Sequence, residues 1–497
     1  MSRHRRLQAR PSFSHHRCLR IAIALGGMSL LFGAWPDECS AQHGDISDAR
    51  QGKDDGYRGI WSYSGSARSN DEYRFVHYSG GFATTFAKHI PLAYYAPQMN
   101  KTFFCYAGTR KDKRQILIMV SYFDHTTATV PRPTIVLDKG TDDAHDNPAI
   151  MLDDEGYVWV FPSAHGTARP AYIFKSRQPY SVDSFELIQK TNFSYPQPWY
   201  VKGHGFLFLH TRYTASGRFL YWMTSRDGRQ WSDPQLLAKV ARGHYQISWR
   251  HGTRIGTAFN YHPQQRLPND MRRTNLYYLE TDDFGETWTD ARGKAVELPL
   301  ESVANEALVH DYEAEDLRVY LKDLNFDAQG RPVVLFLTSR GAHSGPKNDP
   351  RTWTTARWTG SRWDIRPAMI SDNNYDTGCL HVELDGTWRI VAPTETGPQP
   401  YNTGGEIAVW TSTEQGATWN RQQRVTHDSV YNHTYVRRPV NAHPDFYAFW
   451  ADGHAREPSP SRLYFCDRTG RRVFRLPAQM TGDTHRLEAL RWSDLPR

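Results

Sequence analysis

Short apolar runs recur along the chain, and each follows a tight polar turn. The runs read TFFCYAG, YVWVF, FLFLH, RIGTAF, PVVLFL, TWRIVA and FYAFW. They follow turns at Asn100-Lys101, Asp154 to Gly156, Gly203 to Gly205, His251-Gly252, Asp327 to Gly330, Asp385-Gly386 and His443 to Asp445. Runs rich in aromatic and β-branched residues predict strands, and no long 3.6-residue apolar period predicts helices. The chain is therefore predicted to be all-β, with seven hairpin units.

The spacing of these hairpins indicates the architecture. The turns lie roughly 50 to 75 residues apart, which is enough for four short strands with their connections. Such units bury their faces only against neighbouring units, so they are expected to pack radially. The prediction is a seven-bladed β-propeller, and a chain of β-sandwiches is the structural alternative.

A second motif is typical of the same architecture. TDDFGETW, Thr281 to Trp288, fits an S-x-D-x-G-x-T-W turn, STEQGATW (412 to 419) has Glu414 for the aspartate, and SRDGRQW (225 to 231) is one residue short. The carboxylate and glycine of this motif stabilise a tight hairpin, and its tryptophan packs between sheets. We call these three segments the aspartate-box turns and interpret them as structural, with no catalytic role.

The N-terminus is typical of an exported protein. A basic start precedes an apolar run, Ile21 to Ala34, and small residues suit cleavage before Gln42. We predict a signal peptide at residues 1–41, a flexible lead-in at 42–53 and one propeller domain at 54–497. The protein is then secreted or periplasmic, and no later apolar run is long enough to span a membrane.

Charge and cysteine content limit the partners. The first 41 residues hold six arginines and two acids, so removing them lowers the net charge from +7 to +3. No block of basic residues indicates nucleic acid, and the mild positive charge tolerates an anionic ligand. Cys105, Cys379 and Cys466 are widely spaced, which excludes a disulfide scaffold and a cysteine zinc site. We expect a monomer.

Polar side chains bracket three successive hairpins. The pairs are His145 and His165, Tyr195 and Arg212, and Tyr245 and His262, separated by 20, 17 and 17 positions. Two short strands and a turn span about 16 to 20 positions, so residues that flank a hairpin return to the same end of the blade. We expect all six side chains at one mouth of the central channel.

Five sequence segments carry a resemblance to a known family. They are GYRGIW (56 to 61), YSGGFATT (78 to 85), NKTFFCYAGT (100 to 109), VSYFDHTT (120 to 127) and DAHDNP (143 to 148). With the aspartate-box turns, they resemble the BNR-4 group of propellers, which is similar to the seven-bladed lyases that cleave ulvan. The resemblance implies paired channel histidines, a tyrosine and an arginine facing a uronate, here His145, His165, Tyr195 and Arg212.

The chemistry that fits these side chains is β-elimination from a uronic acid, by a polysaccharide lyase acting on an anionic, ulvan-like, sulfated or unsulfated polysaccharide. Arg212 is expected to neutralise the carboxylate with help from His262. His145 and Tyr195 are the candidates for base and acid, and their order depends on whether elimination is syn or anti. The remaining predicted sugar contacts are His165, Tyr245, Tyr213 and Trp199.

Other interpretations stay open at this stage. A sialidase-like glycoside hydrolase is one alternative, although its F/Y-R-I-P signature is matched only by FRLP (474 to 477), at the wrong end of the chain. A non-catalytic carbohydrate-binding propeller is the other.

No cofactor is predicted to be required. The acidic run of Asp142, Asp143, Asp146, Asp153 and Asp154 is compatible with a structural calcium ion or with solvated loops. Near the C-terminus, His443, His454, Arg437 and Arg438 are further candidates for the sugar groove, and pairing with local carboxylates is the alternative.

Overall fold

The structure, a computed structural model, describes residues 52–66, 73, 76–82, 88–264 and 272–491. These residues belong to one compact unit, Ser47–Arg497. The predicted signal peptide and all but the last two residues of the predicted lead-in lie outside the described residues. The domain boundaries proposed from the sequence therefore stay predictions.

The described strands form seven sheets of four or more strands, in which neighbours along the chain pair in antiparallel fashion. Their bounds are Ala93–Ala96, Lys101–Gly108, Leu117–Asp124 and Thr134–Asp138 (blade one); Ile150–Leu152, Val158–Val160, Ala171–Ser176 and Phe185–Thr191 (two); Ser194–Val201, Gly205–Thr214, Gly217–Ser225 and Gln235–Ala238 (three); Gln246–His251, Arg254–Tyr261, Thr274–Thr281 and Leu308–His310 (four); Arg318–Phe326, Pro332–Ser339, Arg351–Trp358 and Trp363–Ser371 (five); Cys379–Val382, Trp388–Glu395, Glu406–Ser412 and Asn420–Arg424 (six); Asn432–Arg437, Ala448–Gly453, Leu463–Cys466 and Val473–Arg475 (seven). The predicted seven-bladed β-propeller is confirmed.

Few other elements accompany the blades. Thr129–Pro131 and Thr484–Arg486 extend blade one, and Ser62–Ser66 pairs with Val76–Ser79 as a separate two-stranded sheet. Among the described residues, three short 3₁₀ helices span Pro97–Met99, Ala144–Asp146 and Pro346–Asn348. Within the described ranges, no helix is long and apolar enough to cross a membrane.

Large aromatic side chains fill the spaces between blades. Five tryptophans are almost fully buried: Trp159, Trp199, Trp353, Trp388 and Trp450. The aspartate-box turns pack against two of them, and these turns approach so closely that only glycine fits. Gly228 adopts a φ of +71°, and a Cβ at this position would lie 2.3 Å from the Trp159 ring of the preceding blade. The turn itself is held by Asp227, whose carboxylate accepts backbone N–H groups from Arg229 and Gln230.

The ring closes where blade seven meets blade one. The C-terminal strand Thr484–Arg486 pairs with Thr129–Pro131 at the outer edge of blade one. Nearby, Gly59 donates its N–H to Ser461 of blade seven, and Ile60 donates its N–H to Ala107 of blade one. Segments from both ends of the described chain therefore join the first blade to the last.

Antiparallel order gives the propeller two distinct ends. In each blade the first two strands meet at a turn, and these seven turns are those predicted from the sequence. We call that end the turn end. The opposite end, where the first strand begins and the second strand finishes, is called the mouth, because residues that flank the first hairpin lie there.

Candidate functional site

Blade two supplies the first part of the site at the mouth. His145 lies five residues before Ile150, and His165 lies five residues after Val160, the partner of Ile150 in the hairpin register. His145 belongs to the 3₁₀ turn Ala144–Asp146, and its backbone N–H donates to the Asp143 carboxylate at 3.1 Å. The hairpin brings the two imidazoles together, and their ring centroids are 3.6 Å apart with planes inclined by 7°.

Asp143 fixes both imidazoles. One carboxylate oxygen lies 2.5 Å from Nδ1 of His145, and the other lies 2.7 Å from Nδ1 of His165. An ionised carboxylate only accepts hydrogen bonds, so each Nδ1 carries the proton and each neutral ring has its lone pair on Nε2. Among the described residues, neither Nε2 has a recorded hydrogen-bond partner, so each is a candidate proton acceptor.

A buried ion network holds Asp143 in place. Arg169 donates to Asp143 at 2.8 Å and to the fully buried Asp146 at 2.6 Å. Lys139 pairs with Asp146 at 3.0 Å and donates to the carbonyls of Ser163 and Pro170. Partners on both sides restrict the carboxylate, so the imidazoles that it orients are also restricted.

Blade three adds two phenols. Tyr195 adopts a left-handed φ of +56° at a bulge in its strand, a conformation that is costly for a large side chain and re-aims it. Its hydroxyl lies 2.6 Å from that of Tyr213, and its ring lies 5.7 Å from that of His145. The Tyr213 ring in turn lies 5.5 Å from His165. The two phenols therefore border the imidazole pair.

Arg218 connects the phenols to blade four. One guanidinium nitrogen lies 2.9 Å from Nδ1 of His262, and the guanidinium carbon lies 4.3 Å from the centre of the Tyr245 ring. His262 and Tyr245 contact each other edge to face, with centroids 5.0 Å apart. Among the described residues, no carboxylate pairs with Arg218. A guanidinium in this position is free to bind an anionic ligand group.

Burial sets the protonation states. It lowers the pKa of His145, although Asp143 opposes the shift, and it lowers the pKa of His262 well below its ordinary value, with the Arg218 charge adding to the effect. Burial raises the pKa of Tyr195 well above its ordinary value and that of Tyr213 to about 12. Burial alone would raise the pKa of Asp143, but hydrogen bonds from His145 and His165 hold it well below its ordinary value. At neutral pH His145 and His262 are therefore neutral imidazoles, Tyr195 and Tyr213 are neutral phenols, and Asp143 is a carboxylate.

The structure brings most of the predicted residues together but leaves two outside. The connected cluster contains six of them: His145, His165, Tyr195, Tyr213, Tyr245 and His262. Arg212 is not among them, because adjacent strand residues point to opposite faces and its neighbour Tyr213 faces the cluster; Arg212 instead lies over Tyr221. Trp199 is buried, donates to Ser248 and packs on Trp249, so it offers no face to a sugar.

The acidic residues predicted as calcium ligands form contacts with separate partners. Among the acids of the predicted calcium run, Asp142 pairs with Arg114, Asp153 accepts from the Trp159 indole, and Asp154 accepts from Tyr200. The calcium ion stays a prediction, and these three carboxylates do not share one partner.

The predicted C-terminal groove residues also separate. Arg437 donates to the Lys322 carbonyl, and Arg438 pairs with Asp323. His443 lies at the turn end, and His454 lies beside Tyr431 and Glu457.

Two residues of the cluster, Asp143 and Arg218, are not predicted as site residues from the sequence. The sequence predicts a loop or calcium-binding role for Asp143, although its position two residues before His145 is a signal for a histidine-orienting acid. Arg218 has no comparable signal, since it follows a turn and its register opposite Tyr213 is visible only in the sheet.

Fold and site together define a BNR-type β-propeller with a cluster of imidazole, phenol and guanidinium groups at its mouth. The chain belongs to the BNR repeat-containing family BNR_4, whose model matches residues 93–369.

Relatives of the chain include proteins named as ulvan lyases. It is 21% identical to the ulvan lyase of Alteromonas sp. (strain LOR) over 342 residues, which are 61% of this chain and 68% of that one. A solved structure of a PL25 ulvan lyase superposes with a TM-score of 0.65 at 16% identity, covering 84% of this chain and 96% of that one. Another, bound to -[GlcA(1-4)Rha3S]-, gives 0.64 at 15% identity, with coverage of 84% and 96%. These structures share the fold.

Proposed function

We propose that the protein is a polysaccharide lyase that cleaves a uronic-acid-containing polysaccharide by β-elimination. The observation that carries this proposal is the connected cluster in which Asp143 orients His145, Tyr195 stays a neutral phenol, and Arg218 has no carboxylate partner among the described residues. A proton acceptor, a proton donor and a carboxylate-binding cation are the three groups that such an elimination needs.

Arg218 takes the role that the sequence suggested for Arg212. The C5 proton of a uronic acid is weakly acidic while the adjacent carboxylate keeps its full charge. A guanidinium forks onto that carboxylate and stabilises the enolate that develops as the proton leaves. Neutral His262, held against Arg218, adds no competing positive charge.

His145 is the proposed base and Tyr195 the proposed acid. His145 Nε2 takes the C5 proton, and Asp143 stabilises the imidazolium that forms. The electron pair of the C5–H bond forms the C4=C5 double bond, the C4–O4 bond breaks, and O4 receives the Tyr195 phenolic proton. Tyr213, hydrogen-bonded to Tyr195, supports the phenolate that remains. Because burial raises the pKa of Tyr195 well above its ordinary value, its phenol is protonated at neutral pH and has a proton to give.

The proposed substrate is a glucuronate-containing, sulfated polysaccharide of the ulvan type. Three relatives of this chain are named as ulvan lyases, and one of the solved structures holds a glucuronate linked to sulfated rhamnose. A glucuronate presents the 4-linked ring and the carboxylate that the mechanism requires. The proposal includes action outside the cytoplasm, since the N-terminal sequence has the pattern of a signal peptide. It also includes action as a monomer.

A retaining or inverting hydrolase is less compatible with the site. Such enzymes use two carboxyl groups on either side of the scissile bond. In the described part of this mouth, the two carboxylates of blade two are Asp143 and Asp146, and both are occupied by histidine, arginine or lysine partners. Neither is placed as a free acid or nucleophile.

The test is the appearance of an unsaturated, ultraviolet-absorbing sugar end when the purified protein meets ulvan. Arg218→Ala is expected to lower the rate at least about 100-fold, the effect of removing one strong stabiliser of developing charge. Arg212→Ala is the matched control, and it should retain near wild-type turnover. Saturated products, or equal rates for both arginine variants, would refute the proposed mechanism; ulvan binding without any product would identify a binding module instead.

A further inference from the structure

A second pair of imidazoles, His125 and His443, lies away from the mouth. Their ring centroids are 3.9 Å apart, with planes inclined by 46°. Asp445 completes the group, and one donor atom from each of the three residues lies within 4.8 Å of the others. We call these three residues the seam cluster, because His125 belongs to blade one and the other two to blade seven.

Topology places the seam cluster at the turn end. His125 directly follows the third strand of blade one, Leu117–Asp124. His443 and Asp445 lie in the turn between the first two strands of blade seven, Asn432–Arg437 and Ala448–Gly453. Third strands finish at the same end at which the first two strands meet. The seam cluster is therefore at the opposite end of the propeller from His145 and His165.

The Nδ1 atom of His125 is available to donate a lone pair to a ligand. Its Nε2 lies 2.8 Å from the Thr102 hydroxyl, whereas its Nδ1 is buried and has no hydrogen-bond partner among the described residues. An orphaned buried nitrogen is unfavourable by about 1–3 kcal/mol, so its presence indicates an unseen partner. A neutral imidazole whose other nitrogen is held by a hydroxyl is the form that binds metal ions.

Contacts in and around the seam cluster satisfy only some of its side-chain polar atoms. His443 Nδ1 is 4.0 Å from the nearer carboxylate oxygen of Asp445, which is too far for a hydrogen bond; it accepts the Asp445 backbone N–H at 3.1 Å instead. The other Asp445 oxygen is held by Arg472. Tyr95 packs against both imidazoles, with centroid distances of 5.3 and 4.8 Å. Two imidazoles and one carboxylate oxygen thus converge with no hydrogen bond between the two rings.

We propose that His125, His443 and Asp445 bind a divalent transition-metal cation of the zinc type. Two imidazoles and a carboxylate are a common zinc ligand set, with metal–ligand distances of about 2.0–2.2 Å, and water supplies the fourth ligand. Ligand atoms bound at those distances approach to about 3.5 Å, so the side chains move inward by roughly 1 Å when the ion binds. The ion would join blade one to blade seven and stabilise the closed ring without taking part in turnover.

The test must separate the seam cluster from the mouth, where Asp143, His145 and His165 also present three donor atoms. We would therefore compare two proteins, His165→Ala and the double variant His165→Ala/His443→Asn, after removing metal with chelator. Each is dialysed against zinc chloride, and its zinc content and Tm are measured. The His165→Ala protein should retain one equivalent of zinc and gain about 2–5 °C in Tm, whereas the double variant should do neither.

Two results would overturn the proposal. One is a His165→Ala protein without zinc and with unchanged Tm; the other is a double variant that binds zinc equally well. If the double variant does not fold, X-ray absorption of zinc-loaded His165→Ala replaces it, and a shell without imidazole nitrogens rejects the site. On the otherwise wild-type background, His443→Asn should keep the full turnover rate, because the seam cluster lies at the other end of the channel.

Discussion

The rings of His145 and His165 lie face to face, 3.6 Å apart, and one carboxylate holds both of them. Two stacked imidazolium ions this close would repel each other, so a proton taken by one ring keeps the other neutral. Asp143 compensates the single positive charge. This relationship assigns one proton-accepting nitrogen at a time to the mouth of the propeller.

Asp143→Asn should lower kcat by about 100- to 10,000-fold with little change in KM, because the amide no longer enforces protonation of both Nδ1 atoms. The expected KM effect is small, since the substrate carboxylate binds Arg218 rather than Asp143. Steady-state kinetics on ulvan measure both parameters, and circular dichroism checks the fold. A folded variant with a wild-type kcat would exclude Asp143 as the orienting group.

The pH profile should reflect the lowered pKa of His145. Only the neutral ring accepts the C5 proton, so kcat/KM falls as pH drops through that pKa. Because burial lowers it, the acidic limb should lie below pH 6.5, the ordinary value for histidine. Initial rates between pH 4.5 and 9 in one buffer series would test this, at about 1-unit intervals or finer. A limb well above pH 6.5 would contradict the assignment of His145 as base.

Tyr195→Phe and Tyr213→Phe should differ in effect, although each removes one hydroxyl from the same hydrogen bond. Loss of the proposed acid should reduce kcat by about 100-fold or more, whereas loss of its supporting partner should reduce it by roughly 10-fold. Single-turnover rates with matched substrate would separate chemistry from product release. The reverse order would assign proton donation to Tyr213.

Gly228→Ala should destabilise the propeller far more than Gly203→Ala. Both glycines have a left-handed φ, +71° and +77°, which disfavours alanine by about 1–2 kcal/mol. At Gly228 the new methyl group would also clash with Trp159, adding about 1–3 kcal/mol, whereas nothing lies within 4 Å at Gly203. Urea unfolding of the two variants measures the difference. Equal midpoints would show that the Trp159 contact relaxes freely.

The blade count could be predicted from the sequence because its signals are local. Each turn and the apolar run after it lie within about ten residues, so chain order alone identifies the seven hairpins. The bracketing of the hairpin by His145 and His165 is equally local. Their common end follows from antiparallel pairing.

Which arginine lies at the mouth could not be predicted from the sequence, because no local sequence signal decides it. Arg212 and Arg218 both lie near the second turn of blade three, and which one faces the cluster is set by strand parity and register. Tyr213 pairs with Arg218, and both side chains point to the mouth, while Arg212 pairs with Phe219 on the other face. The proximity of the seam-cluster residues also has no local sequence signal, because His125 and His443 are separated by most of the chain.

The pairing of Thr484–Arg486 with Thr129–Pro131 has a consequence for synthesis. The four strands of each blade come from one continuous stretch of chain, so each blade can form its hairpins as that stretch leaves the ribosome. The added strand Thr129–Pro131 of blade one, however, lacks its partner until residues 484–486 are translated, more than 350 residues later. A nascent chain that stops before residue 484 therefore leaves the outer edge of Thr129–Pro131 unpaired, and protection of that edge by chaperones should matter most in that interval.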